Sequence, residues 1–186
     1  MARLEGSIVV IELDDAEGWW PRVTYDGATW AVAPRYIAGA AIGGALALQN
    51  GAELPSPGLV DAIWAAATIR CDASRLVRTH NGTHAQMASA AVLEDQRVRV
   101  EMEVKRAWAL DRSGQGWLLI DGTHKNIVRA DRDYADEKGR ILLRKGQVGL
   151  YGWHRLDGTV IQPPTPVHAK GYYDYSQGLR LVKRLA

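Results

Sequence analysis

Five histidines, His80, His84, His124, His154 and His168, are the side chains best suited to proton transfer or metal binding near neutral pH. Two of them, His154 and His168, fall in a final third rich in polar and aromatic residues. It holds Tyr151-Gly152-Trp153-His154, then Asp157-Gly158, His168, and the run from Tyr172 and Tyr173 through Asp174, Tyr175, Ser176 and Gln177 to Arg180. Titratable and aromatic residues set between short strands tend to line a cleft, where converging polar groups do chemistry. His124, His154, His168, Asp174 and Ser176 are therefore the candidate catalytic residues. Lys125, Tyr151, Trp153, Tyr173 and Arg180 are the candidates for holding substrate. The bland alternative is a wet loop cluster whose tyrosines and histidines only satisfy backbone groups.

Three chemistries fit these residue types. In a serine hydrolase, Ser176 would attack, with His154 or His168 as base and Asp174 orienting it, although no Gly-x-Ser-x-Gly elbow is present. In a metal hydrolase, His154, His168 and Asp174 would ligate zinc with one position open for water, and His124 would be a spare ligand or base. In a metal-free site, Asp174 would pair with a histidine while Arg180 or Lys125 holds an anionic group. His80 and His84 have a helical metal spacing, but Asn81-Gly82-Thr83 between them breaks helices. Cys71, at the end of an expected helix, reads as a packing residue.

These side chains need a scaffold. Residues 7–13 and 29–33 read as strands, the latter after an Asp26-Gly27 hairpin turn. The Ala-rich segment 34–49 is helical by propensity. A second helix over 57–70 starts at a Ser56-Pro57 cap, with Leu59, Val60, Ile63, Trp64 and Ala67 on one face. Over 97–105, Val98, Val100, Met102 and Val104 alternate with Arg97, Arg99, Glu101, Glu103 and Lys105, a period-2 pattern that predicts a half-buried strand. Further strands are expected over 117–120, 126–130, 141–143, 148–153, 159–161 and 179–183. The expected architecture is α+β in a single domain, 1–186. A helical N-terminal third, 1–75, contributes a helical hairpin over about 34–70. It packs on a mainly antiparallel β body over about 97–186, within a β-rich part spanning 76–186.

Several of these segments carry a resemblance. Leu54-Pro55-Ser56-Pro57 with the following helix, Gly122-Thr123-His124-Lys125, Tyr151-Gly152-Trp153-His154, and Asp174-Tyr175-Ser176-Gln177-Gly178-Leu179-Arg180-Leu181-Val182 resemble, in order and spacing, a family of uncharacterised bacterial proteins. That family carries Gly-His-Lys, Tyr-Gly-Trp-His and Asp-Tyr-Ser-x-Gly-x-Arg-Leu-Val motifs. Gln177 stands where the family has histidine, and Asn126 where it has aspartate. The resemblance implies positions rather than a chemistry.

Composition narrows the function classes. With Lys+Arg 23 against Asp+Glu 21, the net charge of +2 argues against nucleic acid as a partner. The longest apolar run, 37–48, is shorter than the ~20 residues a membrane span needs. A single cysteine excludes an internal disulfide. No signal peptide is visible, so a cytoplasmic or virion-associated location is expected. Seven Trp and seven Tyr, with no Phe, give an aromatic set with polar tips, suited to a cleft or a core margin. The reading leans to a hydrolase-like enzyme acting on a polar substrate of the cell-envelope kind, peptidoglycan or carbohydrate, with zinc as an optional cofactor. The alternatives are a carbohydrate-binding module, with Trp117, Trp153, Tyr172, Tyr173 and Tyr175 as its platform, or a phage or envelope assembly protein.

Overall fold

The computed structural model describes residues 20–33, 37–38, 52–73, 83–110, 119–166 and 173–185. The chain runs through β1 (Arg22–Tyr25), β2 (Ala28–Val32), β3 (Ile37–Ala38), α1 (Pro57–Ala66) and β4 (Ile69–Arg70). Then come α2 (His84–Met87), α3 (Ala90–Leu110), β5 (Ile120–Asp121), β6 (Lys125–Arg129), β7 (Tyr134–Ala135) and β8 (Ile141–Leu143). The last four elements are β9 (Val148–His154), β10 (Val160–Thr165), β11 (Gln177–Leu179) and β12 (Val182–Arg184). This is a mixed α+β fold with mostly antiparallel pairing.

The local signals act as elementary rules demand. Asp26 and Gly27 both take positive φ, 50° and 69°, the backbone of the two-residue turn that joins β1 to β2. Ser56 caps α1 by accepting from the Leu59 N–H at 3.2 Å, with Pro57 opening the helix. The expected helix over 57–70 ends at Ala66, and Ile69 and Arg70 pair instead with β5 in parallel.

Two sheets form the frame: β1-β2-β12, and β10-β9-β6-β11-β3. Helix α1 lies between them. Its Leu59 and Ile63 pack with Val23, Val32, Leu119 and Val182, while its Val60 packs with Val128, Leu143 and Tyr151. In the second sheet β6 is antiparallel to β9 and parallel to β11. The outer strand β10 carries Pro163 and Pro164, which have no N–H to offer a sheet edge.

Two expectations are corrected. The N-terminal helical hairpin does not form: Ile37 and Ala38, inside the expected first helix, make strand β3 against β11. The rest of 34–49 lies outside the described residues, as does the expected strand 7–13. The expected strand over 97–105 is part of α3, a helix of 21 residues. Alternation of apolar and charged residues satisfies a helix when the charges also recur at helical spacing, and here they do. Glu94–Arg97, Arg97–Glu101, Asp95–Arg99 and Glu103–Arg106 all pair along its surface. The buried stripe is Val92, Gln96 and Val104 with half-buried Val100 between, every fourth residue. Val104 and Val100 pack on Ile69, Cys71 and Ile120, whereas Val98 and Met102 are exposed.

The helix makes a distinguishing prediction. Val104→Asp should lower the unfolding free energy by about 3 kcal/mol or more, while Met102→Asp should stay within ~0.5 kcal/mol of the parent. Urea titration reads both. Equal losses would restore the strand, in which the two side chains share one buried face.

Candidate functional site

Most of the expected residues gather at one end of the five-stranded sheet. There β6 begins at Lys125, β11 begins at Gln177 and β9 ends at His154. Register makes these ends level, since Lys125 pairs with Gly152 on one side and with Gln177 on the other. The side chains then divide between the two faces of the sheet.

The first set meets α1. Tyr151 OH donates to both oxygens of Asp61, at 2.8 and 3.1 Å, and His154 Nε2 donates to Asp61 Oδ1 at 3.0 Å. The His154 ring is stacked on Trp64, centroids 5.1 Å apart and planes 10° from parallel. In a regular strand, Tyr151 and His154 would point to opposite faces. They reach one carboxylate because Gly152 and Trp153 both have positive φ, 92° and 62°, which turns the end of β9 back on itself. Gly152 is required there for a second reason. A Cβ on it would lie 3.1 Å from Val60 Cγ1, 3.3 Å from Asn126 Nδ2 and 3.5 Å from His154 Cε1. Tyr151 and His154 are buried, while the Asp61 side chain is 52% exposed, so the carboxylate forms the mouth of this set. Burial and the Asp61 charge hold the Tyr151 phenol well above its ordinary range, so it remains a donor.

The second set leaves the opposite face of β6, because Lys125 and Asn126 alternate and Asn126 belongs with His154. Asp174 Oδ1 accepts from the Ser176 N–H at 2.8 Å and from the Ser176 hydroxyl at 2.5 Å, an Asx turn that opens β11. Its Oδ2 faces Lys125 Nζ at 3.8 Å, and that ammonium lies 5.8 Å from the Trp153 ring centroid. Burial lowers the Lys125 pKa, and Asp174 opposes the shift.

His124 lies just before β6, with Nδ1 2.9 Å from the Thr123 hydroxyl oxygen. Burial and the Arg180 charge push its pKa down to about 4, with Asp174 pulling the other way. Gly122, at φ 93°, lets this segment pass the Cys71 carbonyl, which a Cβ would meet at 2.0 Å. Arg180, expected to hold an anionic substrate group, is wholly buried. Its two terminal nitrogens donate to the Ala33 and Ile120 carbonyls. Cys71 is buried, and its thiol is pushed up to about 11, which suits packing rather than nucleophilic attack.

The expected set is thus partly assembled. Asp174, Ser176, Lys125 and Trp153 come together, and Tyr151 and His154 come together around Asp61. His168, Tyr172, Trp117 and His80 lie outside the described residues. His154 Nε2 and Asp174 Oδ1, two expected zinc donors, are engaged with Asp61 and Ser176. No group of three His, Cys, Asp or Glu side chains among the described residues is placed to hold a metal ion. Sequence reading missed Asp61 as a site residue. It lies 93 positions from His154, inside an apolar helix, and no spacing signal links the two. Buried polar atoms without a hydrogen-bond partner also mark this sheet end: Asn126 Nδ2, His154 Nδ1, Trp153 Nε1, and both amide atoms of Gln177. Each such atom costs roughly 1–3 kcal/mol when left unpaired.

The chain matches no family model, no curated protein and no solved structure. The chemistry of the site is read from its own geometry.

His124 sets a pH dependence. An unfolded histidine titrates near 6.5, and the folded one near 4. Between those values the unfolded chain binds a proton that the folded chain does not. The His124 contribution is therefore complete above pH 6.5 and is lost on acidification toward pH 4, by about 3 kcal/mol. Unfolding free energies of the parent and His124→Gln, measured from pH 7 to 4, should show a shallower fall in the variant. Parallel curves would refute this assignment.

Proposed function

We propose that the chain is a hydrolase-like enzyme acting on a polar substrate, with Asp61 as the group that meets substrate and His154 and Tyr151 as the groups that position it. The observation that carries this reading is the half-exposed Asp61 carboxylate held by two buried titratable donors, one of them clamped against Trp64. A carboxylate at a mouth, its oxygens fixed from behind, is suited to general-base work on water. In that role the water oxygen bonds to the electrophilic carbon of the substrate. The water proton passes to Asp61 and is returned to the leaving heteroatom, so one water is added across the broken bond. Tyr151 stays protonated and supplies a fixed hydrogen bond. His154 Nε2–H supplies the second and keeps the carboxylate in one orientation.

The carbohydrate-platform reading is weaker on this geometry. Trp153 is buried beneath Lys125, Tyr175 is half-buried, and of the platform residues among those described only Tyr173 is exposed. A flat stacking surface needs several exposed rings together. No helix among the described residues is long and apolar enough to cross a membrane.

The test is turnover of a panel of peptides, glycosides and peptidoglycan fragments by the parent chain and by Asp61→Asn. The substitution should lower kcat/KM on any accepted substrate by about 10²-fold or more, with the melting temperature within a few degrees of the parent. Tyr151→Phe should lose less, since it removes a positioning hydrogen bond. Full activity in Asp61→Asn would remove Asp61 from the mechanism. A parent that turns over none of these classes would put the binding-module reading first.

A further inference from the structure

We propose that Gln177, Lys125 and Trp153 form a recognition row for an amide group of a ligand, reached past the Lys125 side chain. The three residues come from adjacent strands, β11, β6 and β9, at one level of the sheet. Gln177 and Lys125 are parallel register partners, so their side chains leave the same face, and Lys125 Nζ sits 5.8 Å from the Trp153 ring centroid.

The chemistry of the row is specific. Gln177 is wholly buried, and both its amide oxygen and its amide nitrogen lack a hydrogen-bond partner. The Trp153 indole nitrogen is likewise buried and unpartnered. Buried polar groups are nearly always paired, so three such atoms on strands that flank Lys125 mark a place built to receive a partner. A carboxamide edge offers one donor and one acceptor, matched by the carbonyl and N–H of another amide. The indole N–H adds a second donor for that carbonyl, and the ring adds an apolar wall. Asp174 lies 3.8 Å from Lys125, so the row has no net charge and suits a neutral amide rather than a carboxylate. Lys125 is 14% exposed and carries a flexible stem, which makes it the part of the row that moves aside. The row faces away from Asp61 and stands independently of the hydrolase reading.

The test is a titration of the ¹⁵N-labelled chain with acetamide, and separately with sodium acetate, followed by NMR. The probes are the Trp153 indole N–H, identified by its loss in Trp153→Phe, and the Gln177 side-chain amide. Acetamide should shift both signals to saturation with one common Kd, and acetate should shift neither. Gln177→Leu should weaken acetamide binding at least about tenfold and keep or raise the melting temperature, because it removes two unpaired buried atoms. Asp61→Asn should bind acetamide as the parent does, which separates this row from the acid–base set. Unshifted signals, an equal response to acetate, or a lowered melting temperature in Gln177→Leu would each overturn the proposal.

Discussion

A wholly buried guanidinium sits where the two sheets meet. Arg180 lies between β11, in the five-stranded sheet, and β12, in the three-stranded sheet, and its terminal nitrogens donate to the carbonyls of Ala33 and Ile120. Those carbonyls belong to the segment after β2 and to β5. One side chain therefore ties together three parts of the chain distant in sequence. A charge at such a depth is tolerated only where hydrogen bonds replace water, and removing such partners is costly. Burial, with this charge adding to it, keeps the His124 imidazole neutral.

The sheet end itself depends on a local departure from strand geometry. Two successive left-handed residues, Gly152 and Trp153, re-aim His154 toward α1 and Trp153 toward Lys125. Left-handed backbone is costly for a bulky residue such as Trp153, and it persists where the surroundings over-determine it. Here the determinants are the Trp64 stack, the Asp61 hydrogen bond and the Lys125 contact. The result is a polar set on each face of one sheet end, one open through a carboxylate and one closed under a lysine.

Helix α3 covers the neighbouring edge. Its Val104 and Val100 close the core around Ile69, Cys71 and Ile120, and Gln96 reaches back to the Thr123 carbonyl at 3.5 Å. This contact places α3 against the segment that carries His124. The charged residues that gave this stretch its strand-like alternation serve instead as exposed pairs along the helix surface. Such pairs are screened by salt, so the packing stripe rather than the charge pattern holds α3 in place.

Much of the scaffold was legible from local sequence. Asp26-Gly27 specified a hairpin, Ser56-Pro57 specified the start of α1, and β6, β8 and β9 lie where β-branched and aromatic runs placed them. Those signals act over a few residues, so they survive without knowledge of the fold. Lys125 and Asp174 do meet at the sheet end, but His154 turns to the other face and to Asp61. Period-2 alternation misled over 97–105, since the same residues satisfy a helix once long-range packing chooses the buried stripe. The pairing of Ile37 and Ala38 with β11 overrode helix propensity in the same way. Asp61 as the partner of His154, Arg180 as an internal clamp, and the division of the polar residues between two sheet faces came only from tertiary structure. Each depends on contacts between segments far apart in the chain, and on a backbone turn at Gly152 and Trp153 that no residue spacing encodes.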